Sequence, residues 1–160
     1  MTPKYYTALK WGALLGGPLA ILETLIVLAL LGSYNPGDQA SATTLAAIAD
    51  QSNCLMLLLE LAVPLLAGWL AARQTGDRTA ALVAGLVAGG VVAIVNMISD
   101  LILPGGALYL MAGEAPPTGS ALVSAMLTSR LMTLLLGAWG GWLGGRLSQA
   151  PPPPPRSPRP

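Results

Sequence analysis

Five residues able to carry charge or strong hydrogen bonds stand inside otherwise apolar runs of this chain: Glu23, Glu60, Asn96, Asp100 and Arg130. Two carboxylates and one guanidinium in apolar surroundings can do three things. They can pair with one another, hold a proton, or bind a small cation or polar ligand. The spacing of small residues indicates where they point. At about 3.6 residues per turn, positions 7 and 11 apart share a helix face. Glu23 stands 7 beyond Gly16 and 11 beyond Gly12, and Asn96 stands 7 beyond Gly89 and 11 beyond Gly85. Arg130 stands 7 before Gly137 and 11 before Gly141, and Glu60 bears the same relation to Ala67 and Ala71. Asp100 lies one turn beyond Asn96 on the same face. Small residues let apolar helices approach closely, so all five polar residues are expected to face other helices. An isolated buried Arg is costly, so Arg130 is expected to pair with Glu23, Glu60 or both. Thr24, Ser99, Thr128, Ser129 and Thr133 can add hydrogen bonds.

Other chemistry is not encoded. The chain has no histidine and one cysteine, Cys54, which rules out an internal disulfide and a cysteine-based metal site. No phosphate-binding glycine motif occurs, and no carboxylates on one helix have metal-site spacing. The net charge of +1 gives no footprint for nucleic acid. These features predict a non-enzymatic protein without metal or cofactor.

The elements that hold the polar residues read as membrane helices. Of the 160 residues, 54% are hydrophobic and 9% charged, against about 25% charged in soluble domains. A spanning helix needs about 20 apolar residues. Four stretches qualify, at about 11–31, 53–72, 80–103 and 121–145, with turn formers such as Asn35-Pro36-Gly37, Gly76-Asp77 and Pro104-Gly105-Gly106 between them. The first is longer than the apolar core of a cleavable leader and reads as a retained span. Lys4, Lys10, Arg73, Arg78, Arg146, Arg156 and Arg159 fall before the first span, between the second and third, or after the fourth. Basic residues favour the cytoplasmic side, so both termini are expected there, in a multi-pass plasma-membrane protein. Trp11, Trp69, Trp139 and Trp142 lie toward the same ends, as interfacial anchors do. Residues 1–10 form a short N-terminus. The tail, 147–160, is Pro-rich from Pro151 and reads as extended polyproline II.

A shift of 73 residues aligns the halves without gaps. Gly12, Gly16-Gly17 and Ala20-Ile21 meet Gly85, Gly89-Gly90 and Ala93-Ile94, and Gly68-Trp69-Leu70 and Arg73 meet Gly141-Trp142-Leu143 and Arg146. The expected fold is an all-α, four-helix bundle within 11–146, made of two parallel helical hairpins (about 8–73 and 81–146). Their pseudo-twofold axis should run along the membrane normal. The run from Ala67 to Gly90, and the opening from Ala8 to Gly17, resemble small uncharacterised four-helix bacterial integral membrane proteins. In these a Gly-aromatic-x-Ala-Arg helix end meets a short basic turn and a Gly-rich helix. The resemblance implies packing and topology, and no catalytic or binding residue.

Two functions fit this pattern. One is a scaffold or accessory subunit of a membrane complex, partnered by lipid and other membrane subunits or by a second copy. The other is a small transporter or proton-coupled permease that uses the Glu23, Glu60 and Arg130 cluster. A packed polar latch favours the first, and a water-accessible cavity reaching both glutamates favours the second.

Overall fold

A computed structural model describes residues 2–33, 39–102 and 119–148. These form four α-helices, with no strand among the described residues: α1 (Pro3–Gly32), α2 (Gln39–Thr75), α3 (Arg78–Ile102) and α4 (Ser120–Leu147). Pro3–Gly32, Cys54–Thr75 and Arg78–Ser99 are each long and apolar enough to cross a membrane. α4 carries the fourth apolar stretch, with Thr128, Ser129, Arg130 and Thr133 set within it. The helices also outrun the apolar stretches. α1 begins at Pro3, a residue whose fixed φ suits a first helical turn. α2 extends back to Gln39, through an Ala- and Thr-rich segment that precedes its apolar part. The tail 151–160 and the segments 34–38 and 103–118 lie outside the described residues.

The α2–α3 turn is built from local hydrogen bonds. Gly76 takes a positive φ of 68° and donates its N–H to the Ala72 carbonyl at 2.7 Å, which closes α2 with the glycine such an end requires. Asp77 accepts the Thr79 N–H at 2.8 Å and starts α3. It also accepts from Lys4 Nζ at 2.8 Å, tying the start of α1 to this turn. That hydrogen bond holds the Asp77 carboxyl below its ordinary pKa and raises Lys4 above its own. Beside it, Trp11 Nε1 donates to Gln74 Oε1 at 2.9 Å.

Close approach of backbones defines the packing. A Cβ on Gly12 would lie 2.6 Å from the Ala84 carbonyl oxygen, and one on Gly16 would lie 2.7 Å from that of Ala88. Pairs that ascend together in sequence mean that α1 and α3 run parallel. α3 and α4 run antiparallel: a Cβ on Gly137 would meet the Gly85 carbonyl oxygen at 2.7 Å, and one on Gly141 that of Ala81 at 2.6 Å. α2 and α4 are again parallel. A Cβ on Gly140 would sit 3.1 Å from the Leu61 carbonyl oxygen and the buried Pro64, and Gly68 abuts Gly141. Around these contacts lie Ala8, Ala67, Ala71, Ala80, Ala84 and Ala88, all fully buried, with Trp11, Leu15 and Val83 against them.

The helices form a lozenge in the order α1, α3, α4, α2, with α2 and α3 meeting across its short diagonal. Among the described residues α1 and α4 barely touch. This differs from the expected pseudo-twofold axis, under which α1 against α4 would copy α2 against α3. The reason lies in α3, which has two small faces. Ala84 and Ala88 receive α1, while Gly85 and Gly89 receive α4. α1 uses its glycine pair on α3.

Substitution tests this packing directly. Gly137→Ala should lower the free energy of unfolding in detergent by about 1–3 kcal/mol, because its new methyl meets backbone that cannot yield. Among the described residues, nothing lies within 4 Å of where a Cβ on Gly17 would stand. Gly17→Ala should therefore be neutral or stabilising by up to about 1 kcal/mol through helix propensity. Equal effects of the two substitutions in an unfolding titration would contradict the packing.

Candidate functional site

One apolar layer separates the small-residue core from the polar residues. Leu19, Ala20 and Val92 are buried there, with Leu59, Val63 and Val95 packed on them. Leu19 and Val92 each lie one turn before Glu23 and Asn96, so both chains of that pair rise from the same floor. Glu23 is 7% exposed, buried as deeply as an apolar core residue. Asn96 Nδ2 donates to Glu23 Oε2 at 2.5 Å. One position beyond Glu23 and three beyond Asn96, Thr24 Oγ1 and Ser99 Oγ face each other at 3.4 Å. Both hydroxyls also donate to a carbonyl of their own helix, Ala20 and Val95 respectively.

On the other helix pair, Thr133 is buried and Glu60 half-buried. Thr133 Oγ1 lies 3.5 Å from Glu60 Oε1 and 3.3 Å from the Ser129 carbonyl, so its one proton is divided between two acceptors. Arg130, half-buried one turn before Leu134, is close enough to act electrostatically on both Glu23 and Glu60, and the two carboxylates act on each other. The structure therefore brings Glu23, Glu60, Asn96 and Arg130 into one cluster and adds Thr133 to it. Asp100 lies in the last turn of α3, and its side chain is outside the described residues.

The two glutamate hydrogen bonds share a pattern. Glu23 with Asn96 and Glu60 with Thr133 are both separated by 73 residues, the offset that aligns the halves of the sequence. Each joins parallel helices, α1 to α3 and α2 to α4. Opposite-sign and hydrogen-bonding groups at matched depths fix how far one helix can slide on another, since any slip leaves a buried carboxylate unsatisfied. Spacing placed Asn96 on an inward face, and Thr133 was expected only to add hydrogen bonds. It did not single them out as the partners of the glutamates. The signal was present in the offset, which places Asn96 opposite Glu23 and Thr133 opposite Glu60.

The glycines Gly12, Gly16, Gly85, Gly89, Gly137 and Gly141 all lie at helix contacts below this cluster. Cys54 is exposed. Among the described residues no group of three or more His, Cys, Asp or Glu could hold a metal ion. At the far end of the bundle, Arg73 stacks over Trp69 with its guanidinium 4.9 Å from the ring centroid, and Arg146 stacks over Trp142 at 4.1 Å. No family model, curated protein or solved structure matches the chain.

A double-mutant cycle on Glu23→Ala and Asn96→Ala should give a coupling of about 1–2 kcal/mol, at the upper end for polar contacts between helices in lipid. The longer, divided bond between Glu60 and Thr133 should give less. Additive effects at both pairs, measured by equilibrium unfolding in detergent, would show that neither bond holds the helices together.

Proposed function

We propose that this is a non-enzymatic integral membrane protein acting as a scaffold or accessory subunit of a membrane complex. In this reading four helices span the plasma membrane, both termini are cytoplasmic, and the spans are two parallel hairpin repeats. The Glu23, Glu60 and Arg130 cluster is then a polar latch that fixes the two hairpins in register. One observation carries the reading. Both glutamates accept hydrogen bonds from the residue 73 positions on, across the seam between hairpins. Side chains that hydrogen-bond from helix to helix hold membrane helices together. The apolar character of α1, α2 and α3 supports membrane placement. Large exposed side chains such as Ile21, Leu25, Leu58, Leu131 and Leu135 give those helices and α4 outer faces suited to lipid or to neighbouring subunits.

Extraction of the full chain from its native membrane in mild detergent, followed by mass spectrometry of the intact species, tests this. The expected result is co-purification with a defined membrane partner or with a second copy. A lone four-helix species would count against a scaffold.

A second reading, a small proton-coupled permease, draws on a separate observation. Glu23 Oε1 is buried and accepts no hydrogen bond among the described residues. Buried polar oxygens are nearly always satisfied, by protein or by water. An oxygen left open is a place for a proton, a water or a small cation. Proton or solute flux through reconstituted vesicles, abolished by Glu23→Gln, would favour this reading over the latch.

A further inference from the structure

The second concentration of charge lies at the opposite end of the bundle from the glutamates. Lys4, Lys10, Arg73, Arg78 and Arg146 gather there against Asp77, which Lys4 already engages. Within this basic end a pocket opens between the end of α2, the α2–α3 turn and the end of α4. It is lined by Ala72, Arg73, Gly76, Arg78, Gly145 and Ser148. Arg73 and Arg78 both line this concavity, and Gly76 puts no side chain into it. Arg73 is held in place by its stack on Trp69, so little side-chain freedom is lost when it binds a ligand. Guanidiniums bind phosphate oxygens through paired N–H groups.

We infer that this pocket binds the phosphodiester of an anionic glycerophospholipid. The inference rests on the membrane reading above. Three features favour a lipid over a soluble phosphate. Trp69 and Trp142, each under an arginine, lie at the level where tryptophan marks the headgroup region. Leu147, next in sequence to the pocket residue Ser148, is exposed and adds apolar surface at this end of α4. Basic pockets between spanning helices on the cytoplasmic side suit anionic headgroups. The sequence repeat also supplies an internal control. Arg146 on Trp142 repeats the Arg73 on Trp69 stack, yet Arg146 does not line the pocket.

The test uses the full chain, delipidated in a neutral detergent and titrated with phosphatidylglycerol, phosphatidylcholine or inorganic phosphate, with binding read by native mass spectrometry. The expected result is about a tenfold preference for phosphatidylglycerol over phosphatidylcholine. That preference should vanish in Arg73→Gln/Arg78→Gln and persist in Arg146→Gln. Arg73→Lys/Arg78→Lys keeps the charge and should retain part of it, which separates loss of the site from loss of the fold. Equal binding of the two lipids would overturn the inference, as would equal losses in the pocket and Arg146 variants. Displacement of phosphatidylglycerol by an equal concentration of inorganic phosphate would overturn the lipid as the ligand. Failure of the unmodified chain to partition into vesicles would instead overturn the membrane reading itself.

Discussion

A charged side chain enclosed by apolar helices has to find its partner among those helices, because no solvent reaches it to do so instead. The arrangement of this molecule follows from that constraint. Glu23 is as buried as the leucine one turn before it, and its carboxylate is met by Asn96 from α3. Glu60 is met by Thr133 from α4, and Arg130 acts on both carboxylates. Each contact joins two helices, and none can be kept if a helix slides or rotates. The polar cluster thus sets register at one level, while the apolar surroundings that make the charges costly also make their pairing specific.

Close packing supplies the attraction that the cluster directs. Apolar helices gain little from burying one another in an apolar medium, so contact area at short range matters most. Gly12 and Gly16 against Ala84 and Ala88, and Gly85 against Gly137, bring backbone to backbone. Since α3 carries two such faces, it sits between α1 and α4 and keeps them apart. Below the packed layer, the Lys4 to Asp77 pair, the Trp11 to Gln74 bond and two stacked arginines finish the bundle in polar contacts. Small residues, an apolar floor and a polar cluster therefore succeed one another along one axis.

Much of this was legible in the residues, for identifiable reasons. The 7 and 11 spacing between Glu23 and its glycines places both on one face whatever the neighbour, since helical geometry alone determines it. The same holds for Asn96 and Arg130. Both glutamate contacts, and Lys4 with Asp77, join positions 73 apart, the offset that aligns the halves of the sequence. What periodicity leaves open is the identity of the neighbour. A glycine stripe shows that something packs there, without showing whether α3 meets α1, α4 or both. The pseudo-twofold expectation failed on that point. It considered only Gly85 and Gly89 on α3, whereas Ala84 and Ala88 form a second contact face one residue round from them. The helices run beyond the apolar stretches because Pro3 to Lys10 and Gln39 to Ser52 are too polar to count as span yet contain few residues that stop a helix; the Ala- and Thr-rich composition before Asn53 already allowed α2 to extend that way.

The neutralised cluster gives the most direct measure of whether enclosed charges hold this bundle together. Arg130→Met alone strands two carboxylates, and its cost should be among the largest of any single substitution, about 3–5 kcal/mol. Adding Glu23→Gln and Glu60→Gln to the same chain removes the stranded charges. The account predicts that the triple variant regains most of the lost unfolding free energy in detergent. A triple variant no more stable than Arg130→Met would show that the guanidinium never compensated the glutamates, and would contradict the account.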